Sequence, residues 1–317
     1  MANQVRPAPV DSSGIVVTGV PGKTLPKADA LQAFAADAEW ANKPFWMLNV
    51  LQFRDGDVGR AKYAEYVQLM RDFLPIIGGC IVLWGYARTV IGKNEYHAVA
   101  IVEYPSPRTF LEMAMSPSMA AKNQVRLQGL AEQYLIPLRP GWYAIERQAP
   151  APSKAFTAFT TENVWSIPSG MVGSAAESAR VGETSSTRRQ AEQFVADEKI
   201  GNAKRLWHVN LLQFDGAGGE ELYMKYAKAQ GGKKGVLSLF GARSTLAAAC
   251  YKSLMGDVDF NRVIIAEYPC RDSFLSMGAS QEYFETADFR HNGLKETYIV
   301  SCVPEFVDAR PVAMQLP

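Results

Sequence analysis

One run of eight residues occurs twice in this chain, and no other feature limits the fold as tightly. Trp46-Met47-Leu48-Asn49-Val50-Leu51-Gln52-Phe53 returns as Trp207-His208-Val209-Asn210-Leu211-Leu212-Gln213-Phe214, at a constant spacing of 161 residues. Further matches keep the same order. Tyr63-x-x-Tyr66 answers to Tyr223-x-x-Tyr226, and Glu103-Tyr104-Pro105 to Glu267-Tyr268-Pro269. Arg126 answers to Arg290, and Gly129-Leu130 to Gly293-Leu294. A Phe-x-Ala-Asp precedes each set, at Phe34–Asp37 and Phe194–Asp197. A repeat this long within 317 residues implies two versions of one domain. They are expected over residues 14–148 and 160–309, joined by a Pro/Ala-rich linker over 149–159.

The pattern within the first copy predicts its elements. Ala28 to Trp40 has apolar residues at helical spacing, and Asn42-Lys43-Pro44 breaks it. Phe45–Phe53 reads as a strand, Arg60–Ile77 as a helix ended by Gly78-Gly79, and Cys80–Val90 and Tyr96–Tyr104 as two more strands. Ser106 caps a helix running to Met115, a second helical piece reaches about Gln133, and Ile136–Glu146 closes the unit as a strand. Gly14 to Gly22 reads as a short strand and turn. The order βαββαβ is that of a ferredoxin-like unit, an antiparallel sheet with both helices on one face. Its other face is bare and must be covered. The second copy repeats the order, with its first long helix shortened. The stretch from Thr160 to Ser186 carries no clear pattern.

Charge and composition exclude several classes. Net charge is +1, with no basic run, so the electrostatic footprint of a nucleic-acid binder is missing. No apolar run approaches the roughly 18–20 residues that cross a bilayer. The start of the chain lacks the apolar core of a secretory signal. Cys80, Cys250, Cys270 and Cys302 are scattered without metal-ligand spacing. They read as free thiols in a reducing compartment, taken as the cytoplasm, and no metal site is expected.

At the matched residues, the chain resembles the DUF1330 family of the dimeric α/β-barrel superfamily. The resemblance rests on the Asn-x-Leu-Gln-Phe strand, the Tyr-x-x-Tyr helix, the strand ending in Glu-Tyr-Pro and the following Arg, over about 45–147 and again 206–307. It implies an α+β fold in which two ferredoxin-like domains pack sheet to sheet, here within one chain. The superfamily includes cofactor-free monooxygenases, isomerases, dehydratases and haem enzymes, so no reaction transfers from the fold. The haem peroxidases carry Gly-x-x-Asp-Gly; Arg54-Asp55-Gly56-Asp57 lacks the leading Gly, which places haem a distant third.

Strand alternation puts His208 and Asn210 on one face, and His97 and Glu103 on one face of another strand. The Asn, Glu and His positions are expected to point into the barrel. In that reading His208 is the general acid or base, Asn210 orients substrate, Glu267 holds the imidazole and Arg290 clamps an oxyanion. Asn49, Glu103, Arg126, Tyr223 and His97 are the expected substrate-binding set. The bland counterpart has Asn and Glu satisfying backbone groups, the tyrosines in the core, and each Arg tied to Glu103 or Glu267. His291 reads as a surface residue. Two functions stay open. One is a cofactor-independent oxygenase, isomerase or proton-transfer enzyme on a small carbonyl- or phenol-bearing metabolite. The other is a non-catalytic accessory subunit or binding module, with protein partners or as a homo-oligomer; that reading expects a barrel packed with side chains.

Overall fold

A computed structural model describes residues 19–143, 149–164, 180–232 and 234–307. The N-terminal half runs α1 (Ala28–Ala36), β1 (Phe45–Phe53), α2 (Asp57–Phe73), β2 (Cys80–Ile91), β3 (Ala98–Tyr104), α3 (Pro107–Ala114), α4 (Pro117–Gly129) and β4 (Leu130–Tyr143). The C-terminal half runs α5 (Arg188–Ala196), β5 (Leu206–Phe214), α6 (Gly216–Gln230), α7 (Val236–Leu239), β6 (Arg243–Cys250), β7 (Arg262–Tyr268), α8 (Arg271–Gly278), α9 (Gln281–Gly293) and β8 (Leu294–Val307). Gly14 to Thr18, the tail after Val307, and most of the unpatterned stretch (165–179) lie outside the described residues.

The strands close into an eight-stranded barrel in the order β1-β3-β2-β8-β5-β7-β6-β4. Each half contributes an antiparallel four-stranded sheet with its first strand flanked by its third and fourth. The register agrees too: Trp46 faces Glu103 as Trp207 faces Glu267. The sheets join along β2–β8 and β4–β6, so neither keeps an open edge. The expected α+β architecture is therefore the observed one.

Local chemistry sets the element ends. The Ser106 hydroxyl accepts from the Thr109 N–H at 3.1 Å and starts α3. The helix expected to reach Gln133 stops at Gly129, and the chain extends from Leu130 because Gln133 and Tyr134 pair with Leu51 and Val50 of β1. Gly129 is required by close approach: a Cβ there would lie 2.2 Å from the Gly59 carbonyl oxygen of α2. Gly293 makes the same approach to Gly219 of α6, which accounts for the matched glycines.

The two faces of each strand have separate fates. Trp46, Leu48 and Val50 join Trp207, Val209 and Leu211 in a core shared by both halves. Tyr96, Tyr134, Tyr298 and Phe260 pack together in it, with ring centroids 5.3–6.0 Å apart. That core fills the barrel with side chains. The opposite faces lie under the helices, in one apolar cluster containing Phe34, Met47 and Phe110 and another containing Phe194, Phe274 and Tyr283.

Candidate functional site

The expectation that Asn, Glu and His share the barrel interior is corrected by alternation itself. Trp46 and Glu103 are cross-strand partners, and Trp46 Nε1 donates to Glu103 Oε2 at 2.8 Å, on the barrel side. Met47 and Asn49 must then face the helices, as must His208 and Asn210. Glu267 cannot hold the His208 imidazole from the other face of the sheet. Its carboxylate instead binds Arg243 at 2.7 Å and Arg205 at 2.7 Å. His97 stands just before β3 and accepts the Phe53 N–H at 3.0 Å through Nδ1, so it serves the backbone. Burial, then the nearby Arg88 charge, lowers its pKa.

Between sheet and helices in the N-terminal half lies a cavity of about 260 Å³. This is just under the roughly 300–1,000 Å³ of sites for drug-sized ligands, hence metabolite-sized. Its wall is mostly apolar, with Met47, Met70, Phe110, Met113, Met119 and Leu135 among the contributors. Met255 enters from the other half, from the segment between β6 and β7. The polar members are Asn49, Asn123, Arg126, Gln133 and the phenols of Tyr63, Tyr66 and Tyr104. No carboxylate or imidazole lines it among the described residues.

The polar groups form a directed chain. Arg126 is 5% exposed and in no ion pair among the described residues. Its Nε donates to Asn123 Oδ1 at 3.0 Å, one terminal nitrogen to Gln133 Oε1 at 2.8 Å, and the other to the Thr24 carbonyl. Gln133 Nε2 then donates to Asn49 Oδ1 at 3.4 Å, and Asn49 Nδ2 to the Met47 carbonyl at 3.1 Å. Burial pushes the phenols of Tyr63, Tyr66 and Tyr104 up while the Arg126 charge pulls each partly back, so all three stay neutral donors near neutral pH.

The same place in the C-terminal half holds only about 40 Å³. Tyr283 stands where Met119 does, His208 where Met47 does, and Ile91 enters from the other half as Met255 does. The His208 ring lies 3.9 Å from Phe274 and 4.9 Å from Tyr268, and His208 is 1% exposed. Burial pulls its pKa down to about 3, so it is neutral in the physiological range. Its Nε2 is 3.4 Å from Ser301 Oγ, and its Nδ1 has no partner among the described residues. Asn210 donates to the His208 and Ile264 carbonyls at 2.9 and 3.1 Å. Arg290 donates to the Thr184 carbonyl, and its other terminal nitrogen is unpaired among the described residues. Neither Arg126 nor Arg290 reaches Glu103 or Glu267, contrary to the bland reading; Arg126 ties α4 to the turn before α1, and Arg290 ties α9 to the turn before α5. Tyr223 packs against Phe214 and Tyr226, with burial raising its pKa to about 12. His291, expected at the surface, is fully buried with Nδ1 3.0 Å from Thr184 Oγ1.

The sequence reading missed Tyr66, Tyr104, Asn123, Gln133 and Met119 as a set. Their signal is weak: Gln133 and Leu135 alternate correctly on β4, but only once the strand is known to begin at Leu130. A haem ligand would need an imidazole facing open space. His208 lies under Phe274 beside about 40 Å³, and His291 is bonded to Thr184, so neither fits that role. Among the described residues no group of His, Cys, Asp or Glu is placed to hold a metal ion, and no helix is long and apolar enough to cross a membrane.

No family model matches the chain, and no curated protein matches it. Solved structures do. A protein of unknown function from Rhodopseudomonas palustris is 27% identical over 38% of this chain and 98% of its own, with a TM-score of 0.34. An anthrone oxidase-like protein is 7% identical over 83% of this chain and 92% of its own, with a TM-score of 0.47. A mutant chlorite dismutase from Candidatus Nitrospira defluvii is 9% identical over 82% of this chain and 90% of its own, with a TM-score of 0.39.

Proposed function

We propose that the N-terminal half carries the working site. Its cavity takes a small, mostly apolar metabolite through one carbonyl or phenol oxygen, and the chain acts on it as a cofactor-independent enzyme. One observation supports this above others: about 260 Å³ of mostly apolar space between sheet and helices, with Asn49, Gln133, Arg126 and three neutral phenols in its wall. Such donors, fixed before the reaction, stabilise negative charge as it builds on a substrate oxygen. Among the described residues the lining offers charge stabilisation and no imidazole or carboxylate base. That favours oxygenation or isomerisation of a substrate that is itself acidic over removal of a weakly acidic proton.

In this reading Asn49 and Arg126 act on the ligand, while His208, Asn210, Arg290 and Tyr223 hold together a half that has been filled. The agreement of register and order supports two DUF1330-like domains, over 14–148 and 160–309, derived by duplication. The test is a calorimetric screen of small phenols and aromatic ketones, with mass analysis of each bound compound after incubation in air. Binding that Met119→Tyr removes supports the site, and a changed mass supports the enzyme. Binding absent from every compound, or unaffected by Met119→Tyr, would sink the reading. The absence of a base favours one second reading: a binding module that returns its ligand unchanged.

A further inference from the structure

Resting on that reading of the cavity, we infer that its ligand enters as an anion, a carboxylate or a phenolate, and that Arg126 is its counter-charge. A guanidinium can only donate, so Gln133 must turn Oε1 to Arg126, leaving Nε2 for Asn49. A backbone carbonyl can only accept, so Asn49 must turn Nδ2 to the Met47 oxygen and Oδ1 to Gln133. Both ends of the chain are fixed, and with them the orientation of each amide. Asn123 is set the same way, its Oδ1 accepting from Arg126 Nε. Each of these three amide oxygens therefore already accepts one hydrogen bond. The wall turns mostly donors to a ligand: the second protons of the amides, the remaining guanidinium protons and the phenol O–H groups.

Charge points the same way. Arg126 is 5% exposed and has only neutral partners among the described residues, whereas buried charges are ordinarily paired. A carboxylate or phenolate accepts without donating, so it fits a wall of donors, and it supplies the missing negative charge. The C-terminal half keeps a buried Arg290, likewise in no ion pair among the described residues, but not the wall of donors beside open space. Ala287 replaces Asn123, and Thr297, in place of Gln133, turns its hydroxyl to the Leu211 carbonyl at 2.7 Å.

The test compares cinnamate with its neutral isostere cinnamamide, by calorimetry on the full chain near neutral pH. The wild-type chain is expected to favour cinnamate by about tenfold or more, the scale of one hydrogen bond to a charged group. Gln133→Glu places a carboxylate against Arg126 without changing size; it should abolish that preference while cinnamamide still binds. Met119→Tyr should remove both. Equal binding of the two probes, or a preference that survives Gln133→Glu, overturns the anion and leaves the cavity reading standing. If neither probe binds, or Met119→Tyr affects neither, both readings fall.

Discussion

Two chambers of one design occupy this molecule, and they differ by a handful of side chains. Both lie between a four-stranded sheet and its helices, and both keep an Asn, a tyrosine on the first long helix, a tyrosine on the third strand and a buried Arg at matching positions. One encloses about 260 Å³ and the other about 40 Å³. The shared residues therefore do not decide which half can hold a ligand. The replacements do: Met119 against Tyr283, Met47 against His208, Asn123 against Ala287. An ionisable residue in one copy invites assignment of chemistry to that copy. Here His208 is a ring packed among rings, and the flexible Met47 stands beside open space.

The contrast can be broken or sharpened by experiment. The largest effect is expected at the matched phenylalanines. Phe274 packs against His208, Tyr268 and Phe194, so Phe274→Ala should cost about 3–5 kcal/mol. Phe110 already borders open volume, and Phe110→Ala should fall at or below the low end of that range. Urea unfolding reads both, and equal losses would erase the distinction. Next, Met119→Tyr should reduce ligand affinity in the N-terminal chamber about a hundredfold, roughly 2.8 kcal/mol. Unchanged affinity in calorimetry would place the ligand elsewhere.

His208 gives the third test. Its pKa is about 3 when folded against 6.5 unperturbed, so the unfolded chain binds the extra proton first. Stability from this residue is full above about pH 6.5 and is lost as pH falls toward 3, by about 2 kcal/mol at about pH 5. His208→Met should roughly halve the slope over that range, and a profile identical to wild type would refute the buried neutral imidazole. His291, also pulled down to about 3 by burial and the neighbouring Arg290, should leave a similar slope in that variant. The smallest effect belongs to Arg205→Ala. Its side chain is 62% exposed and Glu267 keeps Arg243, so stability should move by less than about 0.5 kcal/mol.

Much of the architecture was legible because repetition and alternation are properties of sequence. Asn49 and Asn210 mark one strand twice, and the glycines at 129 and 293 mark one helix contact twice. The site was harder to read, because alternation says which residues share a face but not which face is covered by what. Glu103 and Asn49 were grouped together, although the pairing of Trp46 with Glu103 puts them on opposite sides. The relay from Arg126 through Gln133 to Asn49 joins residues from a helix and two strands. Only the register of β1 on β4 brings it together.

Ile91 and Met255 cross between the halves, each lining the chamber built by the other's sheet and helices. Neither chamber is complete within its own half, so cutting the chain in two would unroof both. Carrying both on one polypeptide has a further effect. In a pair of identical subunits every substitution is written twice, and closing one chamber closes its twin. On a single chain the closed chamber can serve as a rigid abutment, leaving the open one free to change its wall.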